Sequence, residues 1–352
     1  MKNSFIILIL IFCSSCGQND KNLISVELPG VTDTLYAETI TLNQEIFSLY
    51  SMLNVCDNYI VMVEKSKTPY LRIIDSATGK GLFNWGEQGR GPNEFEEIIR
   101  FYLLNNYDHN DCRIEFFNKL LGEVLVYVVS DSTLNLVDKF EVDYDNRKTF
   151  FNNVEYIQDG IYSLLYEIDN KNKRYLTISR HSKDTLFSFR HFENIGEGNN
   201  LKDNQERQDL LSSNWESSVI TRDRDLFFVF NRKKNLLDIY NTHDGSVYKN
   251  ITIDDNFIRI NKNVNQDILY RAIPIAGADK VYTVGFYVEL EKLTDIGLDN
   301  VSSYLEEWNL DGTPSRRFLI DKPFGQAVVV GNKLYGFSPT YGNQYYVYTI
   351  PN

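Results

Sequence analysis

The sequence predicts an all-β chain built from repeated meanders, and three observations carry that reading. A polar turn followed by an aromatic or branched apolar run recurs six times along the chain. The copies are spaced near fifty residues, with helical patterning confined to two of the gaps. Within the copies, apolar residues fall at alternate positions or in short solid runs, as half-buried and fully buried strands require.

The pattern is clearest at residues 56–86. Asp57 and Asn58 form a turn into the run Tyr59–Val63, and a second turn leads to residues 70–74. Asp75-Ser-Ala-Thr-Gly79 then reverses the chain into residues 82–85. Later copies of the first run begin at residues 114, 161, 226, 281 and 334, giving gaps of 55, 47, 65, 55 and 53. The reversal recurs as well: Tyr240-Asn241 reaches Gly245, and Trp308-Asn309 reaches Gly312. A Gly closing such a turn supplies the positive φ that a tight hairpin needs. Alternation is evident in residues 134–142 (LNLVDKFEV), while residues 227–230 and 328–330 are solid apolar runs suited to strands covered on both faces. Residues 205–211 and 290–300 are read as short helical insertions on one rim.

A period near fifty is the mark of a propeller or array. Six copies imply six blades, and propeller blades normally hold four strands. The last copy, residues 325–352, supplies three. The missing outer strand is expected from residues 34–42 (TLYAETITL), so that both parts of the chain share one sheet, close the ring and remove a sheet edge. The expected fold is therefore an all-β six-bladed β-propeller with four-stranded antiparallel blades, occupying residues 34–352. Two tandem sandwiches would also give many strands, but not equal spacing through the middle of the chain.

The chain of 352 residues is 43% hydrophobic and 14% aromatic, mostly Tyr (23) and Phe (22), so a sizeable core of pleated surfaces can form. Its net charge of −12 opposes binding to phosphate backbones, which depends on clustered Lys and Arg. No nucleic-acid partner is expected.

At the N-terminus, Lys2 precedes an apolar run over residues 5–12 (FIILILIF) and then Cys13-Ser14-Ser15-Cys16-Gly17. That run is too short for the roughly 20 residues a spanning helix needs. A basic residue, a short apolar core and small residues read as a secretory signal over residues 1–15. Small residues followed by Cys resemble a bacterial lipobox, with Cys13 standing where Leu is usual, and Cys16 is the expected acylated residue. Residues 16–33 are expected to be the lipidated Cys and its tether. The remaining cysteines, Cys56 and Cys112, are expected as two separate buried thiols, although a pairing stays open in an oxidising compartment.

The loop GEQGRGPNEF, Gly86 through Phe95, follows the third strand of the first copy. It resembles the linker of NHL-type propellers. With the lipobox, it is similar to a family of six-bladed propeller lipoproteins of Gram-negative gut bacteria, grouped with TolB-like propellers. The resemblance implies a fold and an envelope address and no reaction. In the loop, Arg90 and Glu94 are the candidate channel-mouth binding residues, with a mutual ion pair as the other reading.

Chemistry is otherwise sparse. His109, His181, His191 and His243 lie in separate copies without metal-ligand spacing. Asp108-His-Asn-Asp111 and Asp254-Asp255-Asn256 lack the loop spacing of a calcium hand. Glu306 and Glu307 are adjacent, and neighbours on a strand face opposite sides, so they do not form an acid–base pair. No catalytic, cofactor or metal-binding residue is assigned. The expected role is a lipid-anchored binding or scaffolding module of the outer membrane, facing the periplasm or the surface, with a membrane contact and an envelope protein or glycan as partner. The alternative is a metal-dependent hydrolase or lyase acting on glycans or lactones at the channel mouth.

Overall fold

The computed structural model describes residues 23–42, 52–56, 58–63, 71–88, 94–95, 103–104, 112–118, 123–130, 132–141, 154–158, 161–168, 172–179, 185–189, 216–231, 235–254, 268–289, 301–337 and 343–352. All regular structure among these residues is strand. The N-terminal stretch carries β1 (Leu23–Glu27), β2 (Asp33–Leu35) and β3 (Glu38–Thr41). The first sheet is β4 (Met52–Cys56), β5 (Tyr59–Val63), β6 (Leu71–Asp75) and β7 (Gly81–Trp85). A short parallel pair, β8 (Glu87–Gln88) and β9 (Glu94–Phe95), follows it. The second sheet is β10 (Leu103–Leu104), β11 (Arg113–Asn118), β12 (Glu123–Val129) and β13 (Leu134–Glu141). The third is β14 (Val154–Gln158), β15 (Ile161–Ile168), β16 (Asn172–Ser179) and β17 (Thr185–Phe189). The fourth is β18 (Glu216–Ile220), β19 (Leu226–Asn231), β20 (Leu236–Asn241) and β21 (Val247–Asp254). The fifth is β22 (Ile268–Ala276), β23 (Lys280–Glu289), β24 (Ser303–Asn309) and β25 (Pro314–Ile320). The last is β26 (Gln326–Val330), β27 (Lys333–Phe337) and β28 (Gln344–Thr349).

Each of these sheets is an antiparallel meander, and the described side chains pack the fourth sheet on the fifth, the fifth on the last, the last on the first and the first on the second. Alternation along the strands makes this possible, because one set of side chains meets the sheet before and the other set meets the sheet after. In the first sheet, Ile60, Met62 and Ile74 pack against Val328, Tyr335 and Phe337 of the last sheet. Val61, Val63, Leu71 and Ile73 turn the other way, onto Ile114, Phe116, Leu125 and Tyr127 of the second. The fifth sheet likewise packs on the last through Val284, Leu305 and Phe318, and on the fourth through Val281 and Trp308. Each such aliphatic or aromatic side chain contributes about 1.5–3 kcal/mol relative to exposure. Successive, face-packed antiparallel meanders are the architecture of a β-propeller.

The first strands of the six sheets are neighbours in chain order: β4 lies beside β10, β10 beside β14, β14 beside β18, β18 beside β22, β22 beside β26, and β26 beside β4. The N-terminal stretch laces the outer edges of the last three sheets. β1 adds to β21 in parallel, β2 adds to β25 in parallel, and β3 adds to β28 antiparallel. Thr39 stands opposite Tyr346, and Thr41 opposite Gln344. The expected single strand over residues 34–42 is thus split: its first part serves the fifth sheet and its second part the last. β1 lies within the stretch read as tether.

The hairpin glycines behave as read. Gly79, Gly245 and Gly312 have φ of 69°, 71° and 82°. At Gly312 a Cβ would lie 2.3 Å from Ile251 Cδ1 and 2.7 Å from Ile239 Cδ1, so this turn of the fifth sheet presses directly on the fourth.

One expectation is corrected. Cys112 is disulfide-bonded, so it is not the separate buried thiol expected from the sequence. It directly precedes β11, whose partner β10 neighbours β4, and Cys56 closes β4.

Candidate functional site

Of the sequence-derived site residues, the described structure includes the backbone of Glu94. Glu94 opens β9, its backbone in parallel register with Glu87. Its side chain, Arg90, Cys16 and the helical stretches expected at 205–211 and 290–300 lie outside the described residues. So do His109, His181, His191 and residues 108–111. His243 is described: its Nε2 is 3.0 Å from Asp225 Oδ1 across an exposed turn.

The strongest concentration of polar chemistry among the described residues lies between the fourth and fifth sheets. It is assembled by register. Arg271 on β22 stands opposite Gly285 on β23, Thr283 stands opposite Glu306 on β24, and Glu306 stands opposite Arg317 on β25. Alternation puts Thr283, Gly285 and Tyr287 on one face with Tyr304, Glu306 and Trp308. That face meets the fourth sheet.

At its centre the Arg271 side chain is 1% exposed and that of Glu306 is fully enclosed. Arg271 Nε donates to Glu306 Oε2 at 2.6 Å, and Arg271 Nη2 donates to the Tyr287 hydroxyl at 2.8 Å. A third guanidinium bond reaches Asn235 Oδ1 in the fourth sheet. Asn235 Nδ2 in turn donates to the Ile253 carbonyl at 2.6 Å. Glu306 also accepts from Tyr287 Oη and, at 3.1 Å, from Thr283 Oγ1. Trp308 Nε1 donates to Thr283 Oγ1 at 3.2 Å, and the Arg271 guanidinium lies 5.5 Å over the Trp308 ring. The Arg317 guanidinium sits 4.4 Å from both the Tyr287 and the Tyr304 rings. Burial pushes the Tyr287 hydroxyl well above its ordinary pKa, so it stays a donor to Glu306 at any physiological pH.

The backbone is bent to allow this. Register shifts in β22 between Leu269 and Arg271 and between Ala272 and Ile275 mark bulges, which re-aim side chains. Tyr287 and Ile273 adopt φ of 50° and 56°, uncommon for such residues. A Cβ at Gly285 would lie 2.5 Å from the Tyr287 ring and 3.1 Å from Glu306 Oε1, so only glycine leaves room for the network.

Glu307 points the other way, as expected for its neighbour on a strand. It accepts from Arg316 Nη2 at 2.5 Å and from Ser315 Oγ at 2.6 Å. Burial alone would raise its pKa, but the Arg316 and Ser315 hydrogen bonds outweigh it and hold the carboxyl below its ordinary value. Its contribution to stability is therefore present above pH 4.5 and is lost as the pH falls through its lowered folded-state pKa.

Chemically, the Arg271–Glu306 centre is a strut. Its charges are paired, hydrogen-bonded and enclosed by side chains of two sheets, the only condition under which buried charge is tolerated. The sequence carried a faint signal for it: Arg271 interrupts the apolar run ILYRAIPIA, and the two carboxylates interrupt YLEEW. A charge inside a strand buried on both faces demands a buried partner.

No family model matches the chain, and no curated protein matches its sequence. Among solved structures, an exported protein of Bacteroides fragilis is similar at a TM-score of 0.53 and 10% identity, covering 94% of this chain and 100% of that one. A luciferin-regenerating enzyme aligns at 0.49 and 8% identity, over 90% and 95% of the two chains. The Cps50 (Swd1) β-propeller domain of Myceliophteria thermophila aligns at 0.43 and 10% identity, over 88% and 100%. At such identities the likeness is one of fold.

Proposed function

We propose that the protein is a lipid-anchored, six-bladed β-propeller of the cell envelope that serves as a binding or scaffolding module. The observation that carries this reading is the order of sheets: each first strand neighbours the next, the sixth neighbours the first, and β3 supplies the fourth strand of the last sheet. A ring so arranged is a rigid disc whose mouth is built by residues distant in sequence. The disulfide at Cys112 fits folding in an oxidising compartment, and the signal-like residues 1–15 with Cys16 supply the address. The polar centre between the fourth and fifth sheets is committed to holding blades together, which leaves the outer surfaces and the mouth for partners.

Multiple acyl chains on Cys16 would hold the protein stably where one would not. Growth with a clickable fatty acid tests this. The wild-type protein is expected to take up label and fractionate with membranes, and Cys16→Ala to lose both. Label on both proteins, or on neither, would refute the anchor.

A further inference from the structure

We infer that the outer edge of the fourth sheet, where the chain enters the fold, is the face that rests on the lipid surface. This deepens the proposed anchoring and rests on acylation of Cys16. The geometry starts from register. β1 runs parallel to β21 with Leu23 opposite Asn250 and Ile24 opposite Ile251. The chain preceding Leu23 therefore arrives at the end of the strand pair where β21 begins, at Val247 and Tyr248.

That end is apolar and open. Leu23 is 55% exposed, Ile24 42%, Val247 45% and Tyr248 46%. They are four of the ten large hydrophobic side chains left exposed among the described residues. Tyr248 is amphipathic, and Lys249 Nζ lies 5.5 Å from its ring. Lys249 Nζ also donates to the Asp311 carbonyl at 2.6 Å, and a Tyr beside a Lys is a combination suited to a headgroup layer. Of the acids on the adjoining turns, Asp311 Oδ2 is 3.8 Å from Lys249 Nζ, Asp225 Oδ1 is 3.0 Å from His243 Nε2, and the exposed Asp244 accepts from the Ser246 amide at 2.8 Å.

Tether length commits the occupant. Seven peptide steps separate Cys16 from Leu23, which at full extension is about 25 Å. An acyl chain on Cys16 thus holds this edge within reach of the interface, while other exposed apolar residues, such as Leu136 on β13, belong to a different sheet. Four partly exposed side chains would bind a bilayer weakly on their own. Joined to an anchor, they act at an effective concentration of order millimolar, which makes a weak contact persistent.

The test uses the full acylated chain reconstituted in phosphatidylcholine vesicles. Tyr248→Trp and, separately, Val247→Trp introduce reporters at the edge, and Leu136→Trp places one on the second sheet. Vesicles with bromines on the upper acyl chain are expected to quench the reporters at 247 and 248 relative to the parent protein, and to leave that at 136 unquenched. Equal response at all three positions would overturn the inference, leaving a domain that tumbles freely on its tether. Shielding at 247 and 248 that needs added envelope proteins would also overturn it, in favour of a protein partner. Intact mass measured beforehand separates the two readings: without acyl groups on Cys16 the anchoring itself fails, whereas acylated protein with unquenched reporters defeats only the orientation.

Discussion

Replacing Arg271 with alanine is expected to destabilise the fold by about 3–5 kcal/mol, the cost of breaking a buried ion pair from one side. The substitution leaves Glu306 enclosed with Tyr287 and Thr283 as hydrogen-bond donors and Arg317, its Nε 3.8 Å away, as the remaining cation, and leaves Asn235 Oδ1 without its guanidinium partner. Denaturant midpoints of wild type and variant measure the loss. The double variant Arg271→Met with Glu306→Leu is expected to be less damaging than Arg271→Ala alone, because it removes both charges and refills the space. A single-variant effect below about 1 kcal/mol, the range of exposed pairs, would mean that the network is wet and does not act as a strut.

Trp308→Ala is expected to cost a similar amount, about 3–5 kcal/mol, for a different reason. Trp308 is among the largest fully buried side chains described, and it meets Phe230 of the fourth sheet edge-on at 5.6 Å and 62°. Alanine would open a cavity between two blades and remove the ring beneath the Arg271 guanidinium. Trp308→Phe should retain part of the stability, since it keeps an aromatic ring but leaves Thr283 Oγ1 without its indole donor. If Trp308→Ala were no worse than Trp308→Phe in denaturant midpoint, inter-blade packing would not depend on this residue.

The antiparallel meanders were legible because alternation and turns are local. The run expected at Tyr59–Val63 is β5, and Gly79, Gly245 and Gly312 take the positive φ that their turns demand. The edge strands β1 and β2 were not legible. LISVE and DTL are short, and each pairs in parallel with a strand more than two hundred residues away, which no local pattern encodes. The break at Tyr36-Ala37 follows from the same geometry, because the segment must leave one sheet to reach the next. The Ala37 amide is held there by Asp321 Oδ1 at 3.0 Å. The Arg271 network was hidden because its members come from four strands of one sheet and a turn of another. Only Arg271, Glu306 and Glu307 advertised themselves, as charges inside apolar runs. The mouth of a propeller is assembled from residues of every blade, so the spacing of Arg90 and Glu94 alone does not encode a site there.

The N-terminal strand β3 completes the last sheet by pairing with β28. Cysteines at Thr41 and Gln344, directly opposed in the β3–β28 register, test it. Opposed Cα atoms lie about 4.5–5.5 Å apart, within disulfide reach. Mild oxidation of the Thr41→Cys, Gln344→Cys variant is expected to give an intramolecular link seen as faster migration on a non-reducing gel, while Glu38→Cys with Gln344→Cys, three residues out of register, gives none. No link in the first variant, links only between molecules, or equal linking in both would contradict the β3–β28 pairing and with it the proposed ring.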